Sequence, residues 1–116
     1  MQLYNIALIV SPFYPNLELA GHLLIKLHVP YSEKSVTVKI NPKIEEYKEK
    51  PAENIWQSSI SVDTPETKTL TFDLEKNNKQ TVKYQNRIYS IELKKIGKIL
   101  EQGQNFPVYD FIVSES

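Results

Sequence analysis

The stretch "LELAGHLLIKLHV", Leu17–Val29, alternates in hydropathy with a period of two. This is the period of a β-strand, in which successive side chains point to opposite faces. The odd positions are all apolar apart from Gly21, whereas the even positions mix charged, polar and apolar residues. The pattern therefore predicts one long strand with its odd face in the core, and Pro30 ends it.

The same alternation recurs along most of the chain. The further strands it predicts are "LYNIALIV", "SVTVKI", "IWQSSISV", "KTLTFDLE", "QTVKY", "RIYSIELKKIGKIL" and "PVYDFIV". The segments between them are rich in residues that suit turns: "SPFYPN", "DTPET", "KNNK", "QN" and "EQGQN". About eight short strands at this spacing predict an all-β fold, a single antiparallel β-sandwich domain over residues 1–116, immunoglobulin-like or related. A small β-barrel is the alternative.

Three strands carry additional expectations. "LYNIALIV" is apolar on both phases apart from Asn5, which suits an inner strand or one buried on both faces. In "RIYSIELKKIGKIL" the apolar phase changes before Ile96 and Leu100, so a bulge is expected near Gly97. Pro107 marks "PVYDFIV" as a candidate edge strand, because proline has no N–H for a ladder on both sides.

One segment, "NPKIEEYKEKP", departs from the alternation. Asn41 stands where an N-cap belongs and Pro42 at the first helical position, with glutamates early and lysines late. These features complement the helix dipole and predict one short helix around residues 42–50. An irregular charged loop is the alternative.

The composition excludes several classes of function. The chain has 116 residues, with 14 Lys plus Arg against 14 Asp plus Glu, so its formal net charge is zero. Nucleic-acid affinity rests mostly on clustered basic residues, so no nucleic-acid partner is expected. There is no cysteine, which excludes disulfides, thiolate catalysis and cysteine-ligated zinc. No stretch is long enough for a membrane span and no signal peptide is recognisable, so we expect a cytoplasmic protein without membrane contact.

Both histidines, His22 and His28, fall on the polar phase of the opening stretch. In a continuous strand they would lie roughly 20 Å apart, because each residue rises about 3.3 Å. They could not then share one metal ion. We interpret them as part of a solvated strand face, and expect no metal site.

No catalytic constellation is visible either. The close carboxylate pairs, Glu45–Glu46 and Asp63–Glu66, lie in segments that look exposed, whereas acid–base work needs a cleft and a raised pKa. The serines have no nucleophile elbow around them, and three glycines are too few for a phosphate-binding loop. We therefore predict a non-catalytic protein with no cofactor.

The loop aromatics are the candidate contact residues: Phe13, Tyr14 and Tyr31. Phe13 and Tyr14 stand between two prolines, and Tyr31 follows a third. Rigid loop aromatics are common anchors at interfaces. For Phe13 the favoured alternative is a buried plug over the end of the sandwich, with Tyr14 at the surface. Trp56 is expected in the core.

Taken together, these observations favour a module that acts by protein–protein interaction. The partner is another protein, or a second copy paired through a strand edge. The alternative function is a carbohydrate or small-ligand module that uses exposed aromatics as stacking platforms.

Overall fold

Two antiparallel four-stranded sheets pack face to face in the computed structural model, which describes residues 2–14, 16–42 and 65–115. In spatial order the first sheet contains β1 (Gln2–Ile9), β8 (Gln104–Glu115), β7 (Arg87–Glu101) and β6 (Lys79–Tyr84). The second contains β2 (Leu17–Ala20), β3 (Leu23–Tyr31), β4 (Ser35–Pro42) and β5 (Lys68–Asp73). The predicted β-sandwich is thus confirmed.

The core lies between the two sheets and is built from alternate residues of their facing strands. Its fully buried side chains include Leu8, Leu23, Ile25, Val36, Val38, Ile40, Phe72, Ile91, Leu93, Tyr109 and Val113. Phe72 and Phe111 join the sheets by an edge-to-face contact, with ring centroids 5.4 Å apart. Each such apolar side chain contributes about 1.5–3 kcal/mol by leaving water.

The stretch that opens the sequence is a hairpin, and the prediction of one long strand is wrong. β2 and β3 pair antiparallel, with Ala20 opposite Leu23, across a two-residue turn at Gly21 and His22. Gly21 takes the left-handed conformation that this turn requires, at φ 60°. Because paired residues share a face, the side chains that point inward belong to even-numbered residues in β2 and to odd-numbered residues in β3. Leu17 therefore lies on the outer face, where it forms a small apolar cluster with Leu24.

The positions of β1 and β8 also differ from expectation. β1 lies at an edge of its sheet and is not buried on both faces, whereas β8 lies between β1 and β7. Pro107 is nevertheless compatible with this place. Its carbonyl accepts the N–H of Val10 at 3.0 Å, and the N–H that proline lacks would point to the same side, where β1 has already ended.

The predicted bulge in β7 exists, but at Lys94 instead of Gly97. The register with β8 shifts between Leu93 and Lys95, which returns Ile96 to the inward face opposite Tyr109. Leu100, expected on the same side of the core, is 66% exposed, because β7 and β8 extend beyond the sandwich.

The predicted helix does not begin at Pro42. Asn41 and Pro42 belong to β4, and the buried side-chain oxygen of Asn41 accepts a hydrogen bond from the Thr67 hydroxyl. The rest of that helix, residues 43–50, and the strand expected around Trp56 lie outside the described residues. Within the described ranges there is no helix, and hence none long and apolar enough to cross a membrane.

Candidate functional site

Apolar side chains gather at one end of the sandwich, where the loop after β1, the end of β3 and the start of β8 meet. We call this place the aromatic end and define it by Phe13, Tyr31, Phe106 and Tyr109. Asn16 anchors the loop to β3, because its carbonyl accepts the N–H of Leu27 at 2.8 Å. The aromatic end is therefore assembled from three segments that are distant in sequence.

Phe13 lies on the surface of this end, so the expectation that it is a buried plug is wrong. Its side chain is 49% exposed and meets Phe106 edge to face, with ring centroids 5.9 Å apart and planes at 76°. Its backbone N–H donates to the Ser11 hydroxyl at 3.0 Å. The ring is thus held on one side by a second aromatic and presents its other side to solvent.

Tyr14 fixes the same loop to the tip of the β7–β8 hairpin. Its hydroxyl donates a hydrogen bond to the carboxylate of Glu101. This bond, together with burial and the nearby negative charge, raises the pKa of Tyr14. Tyr14 is half-buried, so its role in holding the loop is visible in the structure, whereas a role in contacting a partner stays a prediction.

Tyr31 is 39% exposed at the end of β3 and meets Tyr109 edge to face, with centroids 6.4 Å apart. The Tyr109 hydroxyl donates to the carbonyl of Ser32 at 2.9 Å, and burial raises the pKa of Tyr109. Two clefts flank the Tyr31 ring. The first, of about 570 Å³, is the apolar cleft; its lining includes Val29, Tyr31 and Phe106. The second, of about 690 Å³, lies between Tyr31 and β7.

Charge is scarce in the apolar cleft. The described residues that line it are Val10, Ser11, Pro12, Asn16, Leu27, His28, Val29, Tyr31, Phe106 and Pro107. None of these is Asp, Glu, Lys or Arg. Depletion of charged residues with retention of aromatic ones is the composition that distinguishes the centre of a protein interface from the surrounding surface.

The two histidines lie at opposite ends of the molecule. His28 lines the apolar cleft, whereas His22 is in the β2–β3 turn and lines a cleft at the other end. Across residues 2–14, 16–42 and 65–115, no group of three or more His, Asp or Glu side chains could hold a metal ion. The structure therefore does not bring the histidines together.

The cleft at the other end has a volume of about 530 Å³ and contains several basic side chains. Two of them contact neighbours within the fold: Arg87 donates to Glu115 at 2.6 Å, and the Lys68 ammonium lies 5.3 Å from the centre of the Tyr84 ring. The Tyr84 hydroxyl donates to a backbone carbonyl at 2.8 Å, and burial raises its pKa to about 12. These contacts serve the fold, so we do not choose this cleft as the candidate site.

Sequence reasoning missed Phe106 and Glu101 as members of the site. Phe106 lies on the opposite phase from Tyr109 in β8 and directly before a proline, so alternation alone assigned it no role. An apolar side chain on the outward phase of a strand was the available signal. Comparison with known proteins adds nothing to this geometry, since no protein-family model, curated protein or solved structure matches the chain.

Proposed function

We propose that this protein is a non-catalytic binding module that recognises another protein through its aromatic end. The observation that carries the proposal is the uncharged apolar cleft bordered by the exposed side chains of Val29 and Tyr31. Val29 is 63% exposed, so the chain keeps apolar area in water at a place where two aromatic pairs already form a rigid support. Contiguous apolar surface that is left in water is typical of contact sites, and the exposed side chains of Val29 and Tyr31 border one cleft.

The local construction of the site also supports binding. Phe13 and Tyr31 are each held by an aromatic neighbour, so few rotamers remain to be lost when a partner docks. Tyr14 and Glu101 hold the loop in place through their hydrogen bond. A preorganised aromatic surface loses less conformational entropy on association than a flexible one, and aromatic anchors often supply most of the affinity.

A selection experiment tests this proposal without a known partner. A displayed library of random peptides is selected on the wild-type protein, and the enriched peptides are titrated against Tyr31→Ser and Phe13→Ser. We expect affinity to fall about tenfold or more in at least one of these variants, because truncation of an anchor residue costs about 2 kcal/mol. Leu3→Ser is the matched control, since Leu3 is 63% exposed near the other end of β1.

Two results would count against protein recognition. One is a library that yields no peptide above the background of an unrelated β-sandwich. The other is a set of enriched peptides that bind the aromatic variants and the Leu3 variant equally well. The alternative function, carbohydrate binding, predicts instead that a glycan array gives a signal that Tyr31→Ser abolishes.

A cytoplasmic site of action belongs to the same proposal. Its support is the absence of cysteine, because small extracellular domains are often stapled by disulfides. A fluorescent fusion of the native protein that is found outside the cytoplasm of its host would overturn this part.

A further inference from the structure

β7 is longer than the strand beside it. It pairs with β6 only from Arg87 to Glu92, and one more hydrogen bond on this side joins the Leu93 N–H to the Asn78 carbonyl at 2.7 Å. From Lys95 to Glu101, β7 pairs with β8 on its other side. In the described part of the chain, no strand lies along β7 beyond that last bond to Asn78.

The backbone groups on this free side can be identified from the register. In an antiparallel pair, opposite residues point their N–H and C=O groups either toward each other or both away. The Pro107 carbonyl bonds to Val10 of β1, so its β7 partner Lys98 points its backbone away from β8. Ile96 and Leu100 have the same phase as Lys98. The N–H and C=O groups of Ile96, Lys98 and Leu100 thus form what we call the open edge.

The second cleft beside Tyr31 runs along this open edge. Its described lining includes Tyr31, Glu33, Ile96, Lys98 and Tyr109, and its volume is about 690 Å³. Ile96 lies opposite Tyr109 in the register, so both side chains are on the inward face. A strand added to the open edge would direct every second side chain to this face, beside the cleft.

The charge on β7 indicates which kind of strand fits. Lys94, Lys95 and Lys98 are exposed along this segment, and only Glu101 is acidic among residues 94–101. Lys95 has the outward phase, on which the charged side chains of an added strand would lie, whereas Lys98 has the phase of Ile96 and lines the cleft. Lys95 is weakly engaged, with its ammonium 3.9 Å from the Asp110 carboxylate. Lysines on an edge disfavour pairing with an identical edge and favour a partner of opposite charge.

We propose that the open edge binds an extended acidic segment of another protein as an added β-strand, with alternate apolar side chains of that segment seated in the cleft beside Tyr31. This deepens the proposed function and rests on it, since it names the class of segment that a protein partner would contribute. Backbone hydrogen bonds to Ile96, Lys98 and Leu100 supply affinity, and the cleft supplies selectivity.

The probe is a synthetic peptide, as long as the open edge, in which glutamate and valine alternate. We expect saturable binding by NMR titration, with the largest shifts at the amides of Ile96, Lys98 and Leu100 and slower hydrogen exchange at the same three sites. A peptide that alternates lysine and valine should bind at least about tenfold more weakly, because its charges oppose those of the edge. A glutamate–valine peptide should lose binding when N-methyl groups replace the N–H hydrogens that would face the open edge, which are those of alternate residues. In this experiment the protein itself is unchanged.

Two variants separate the backbone from the charge. Lys98→Ala removes the ammonium but keeps the N–H, whereas Lys98→Pro also removes the N–H and places a ring in the path of the added strand. Pairing with β8 does not use this N–H, so circular dichroism should show both variants folded. We expect Lys98→Pro to bind the peptide about tenfold or more weakly than Lys98→Ala.

Equal affinity of the two variants, or no shifts at the three amides, would overturn the added strand. A wild-type protein that dimerises in light scattering while Lys98→Pro stays monomeric would overturn the acidic partner in favour of a second copy. If the library peptides lose affinity in Tyr31→Ser but bind Lys98→Pro and Lys98→Ala equally, the proposed function stands and the strand addition fails.

Discussion

Replacement of Gly21 by alanine is expected to destabilise the fold by about 2–4 kcal/mol. Two physical terms contribute. At φ 60° an L-residue is less stable than glycine by about 1 kcal/mol. A Cβ at this position would also lie only 2.8 Å from the Cζ and Oη atoms of Tyr4, and overpacking of this kind costs about 1–3 kcal/mol.

The other two glycines of the chain provide matched controls. Gly103 has φ 78° with no atom near its added Cβ, so Gly103→Ala tests the conformational term alone. Gly97 has neither a positive φ nor a close neighbour, so Gly97→Ala should be nearly neutral. Urea unfolding followed by circular dichroism should rank the losses as Gly21, then Gly103, then Gly97, and Gly21→Ala should lower the Tm by roughly 10 °C.

A double mutant isolates the contact with Tyr4. On a Tyr4→Ala background, Gly21→Ala should cost only the conformational term, about 1 kcal/mol. If Gly21→Ala costs no more than Gly103→Ala on the wild-type background, the close approach of Tyr4 is refuted. The hairpin would then require Gly21 for its backbone conformation only.

Three further outcomes are expected. The double variant His22→Gln/His28→Gln should keep its free energy of unfolding within about 0.5 kcal/mol of the wild-type value, the range of surface substitutions, and a zinc-dependent Tm shift that it abolishes would contradict this. Ile25→Lys should lose several kcal/mol in urea unfolding because it buries a charge, whereas Thr81→Lys on exposed β6 should be nearly neutral. Burial raises the pKa of Tyr84 from 10.0 to about 12, so the contribution of the neutral hydroxyl to stability is complete below pH 10 and is lost as the pH rises to 12. Tyr84→Phe should therefore flatten the fall in the free energy of unfolding over that interval. An alkaline stability profile that Tyr84→Phe leaves unchanged would refute the pKa shift.

The fold class was predictable because alternation is a local property of the chain. The hairpin within Leu17–Val29 was not, because a two-residue turn leaves the alternation intact when the turn residues resemble the two phases. Gly21 matched the apolar phase and His22 the polar one. What separates a strand from a hairpin here is the pairing of Ala20 with Leu23 and the φ of Gly21, and pairing partners are not marked by hydropathy.

Strand order was equally hidden. Pro107 is typical of an edge strand, yet β8 lies between β1 and β7, where the proline is tolerated because the N–H that it lacks falls where β1 ends. The bulge in β7 was predictable as a change of phase, but its place was not. Glycine tolerates a bulge, which made Gly97 the expected position. The bulge lies at Lys94 instead, because Leu93 and the residue opposite Tyr109 must both face the core.

The candidate site was half predictable for the same reason. Proline-flanked aromatics identified Phe13, Tyr14 and Tyr31 as residues of interest, since that signal is local. Their neighbours Phe106 and Glu101 belong to the β7–β8 hairpin, which is far along the chain. Tyr14 and Glu101, for example, are separated by 87 positions in the sequence. Such contacts depend on the order of strands in the sheet, which alternation does not reveal.

The aromatic end and the open edge have one cause, which is the length of the β7–β8 hairpin relative to its neighbours. β1 ends opposite Val108 and β6 begins opposite Glu92, so both sides of the hairpin extend beyond the strands that pair with them. On the β1 side the next loop covers the extension, through Phe13 on Phe106 and Tyr14 on Glu101. On the β6 side the described chain turns away to β5, and no described strand pairs with β7 at Ile96, Lys98 and Leu100. Among the described residues of the hairpin, it is on this second side that backbone donors and acceptors lie without a paired strand. We therefore propose strand addition at β7 and side-chain recognition at the aromatic end.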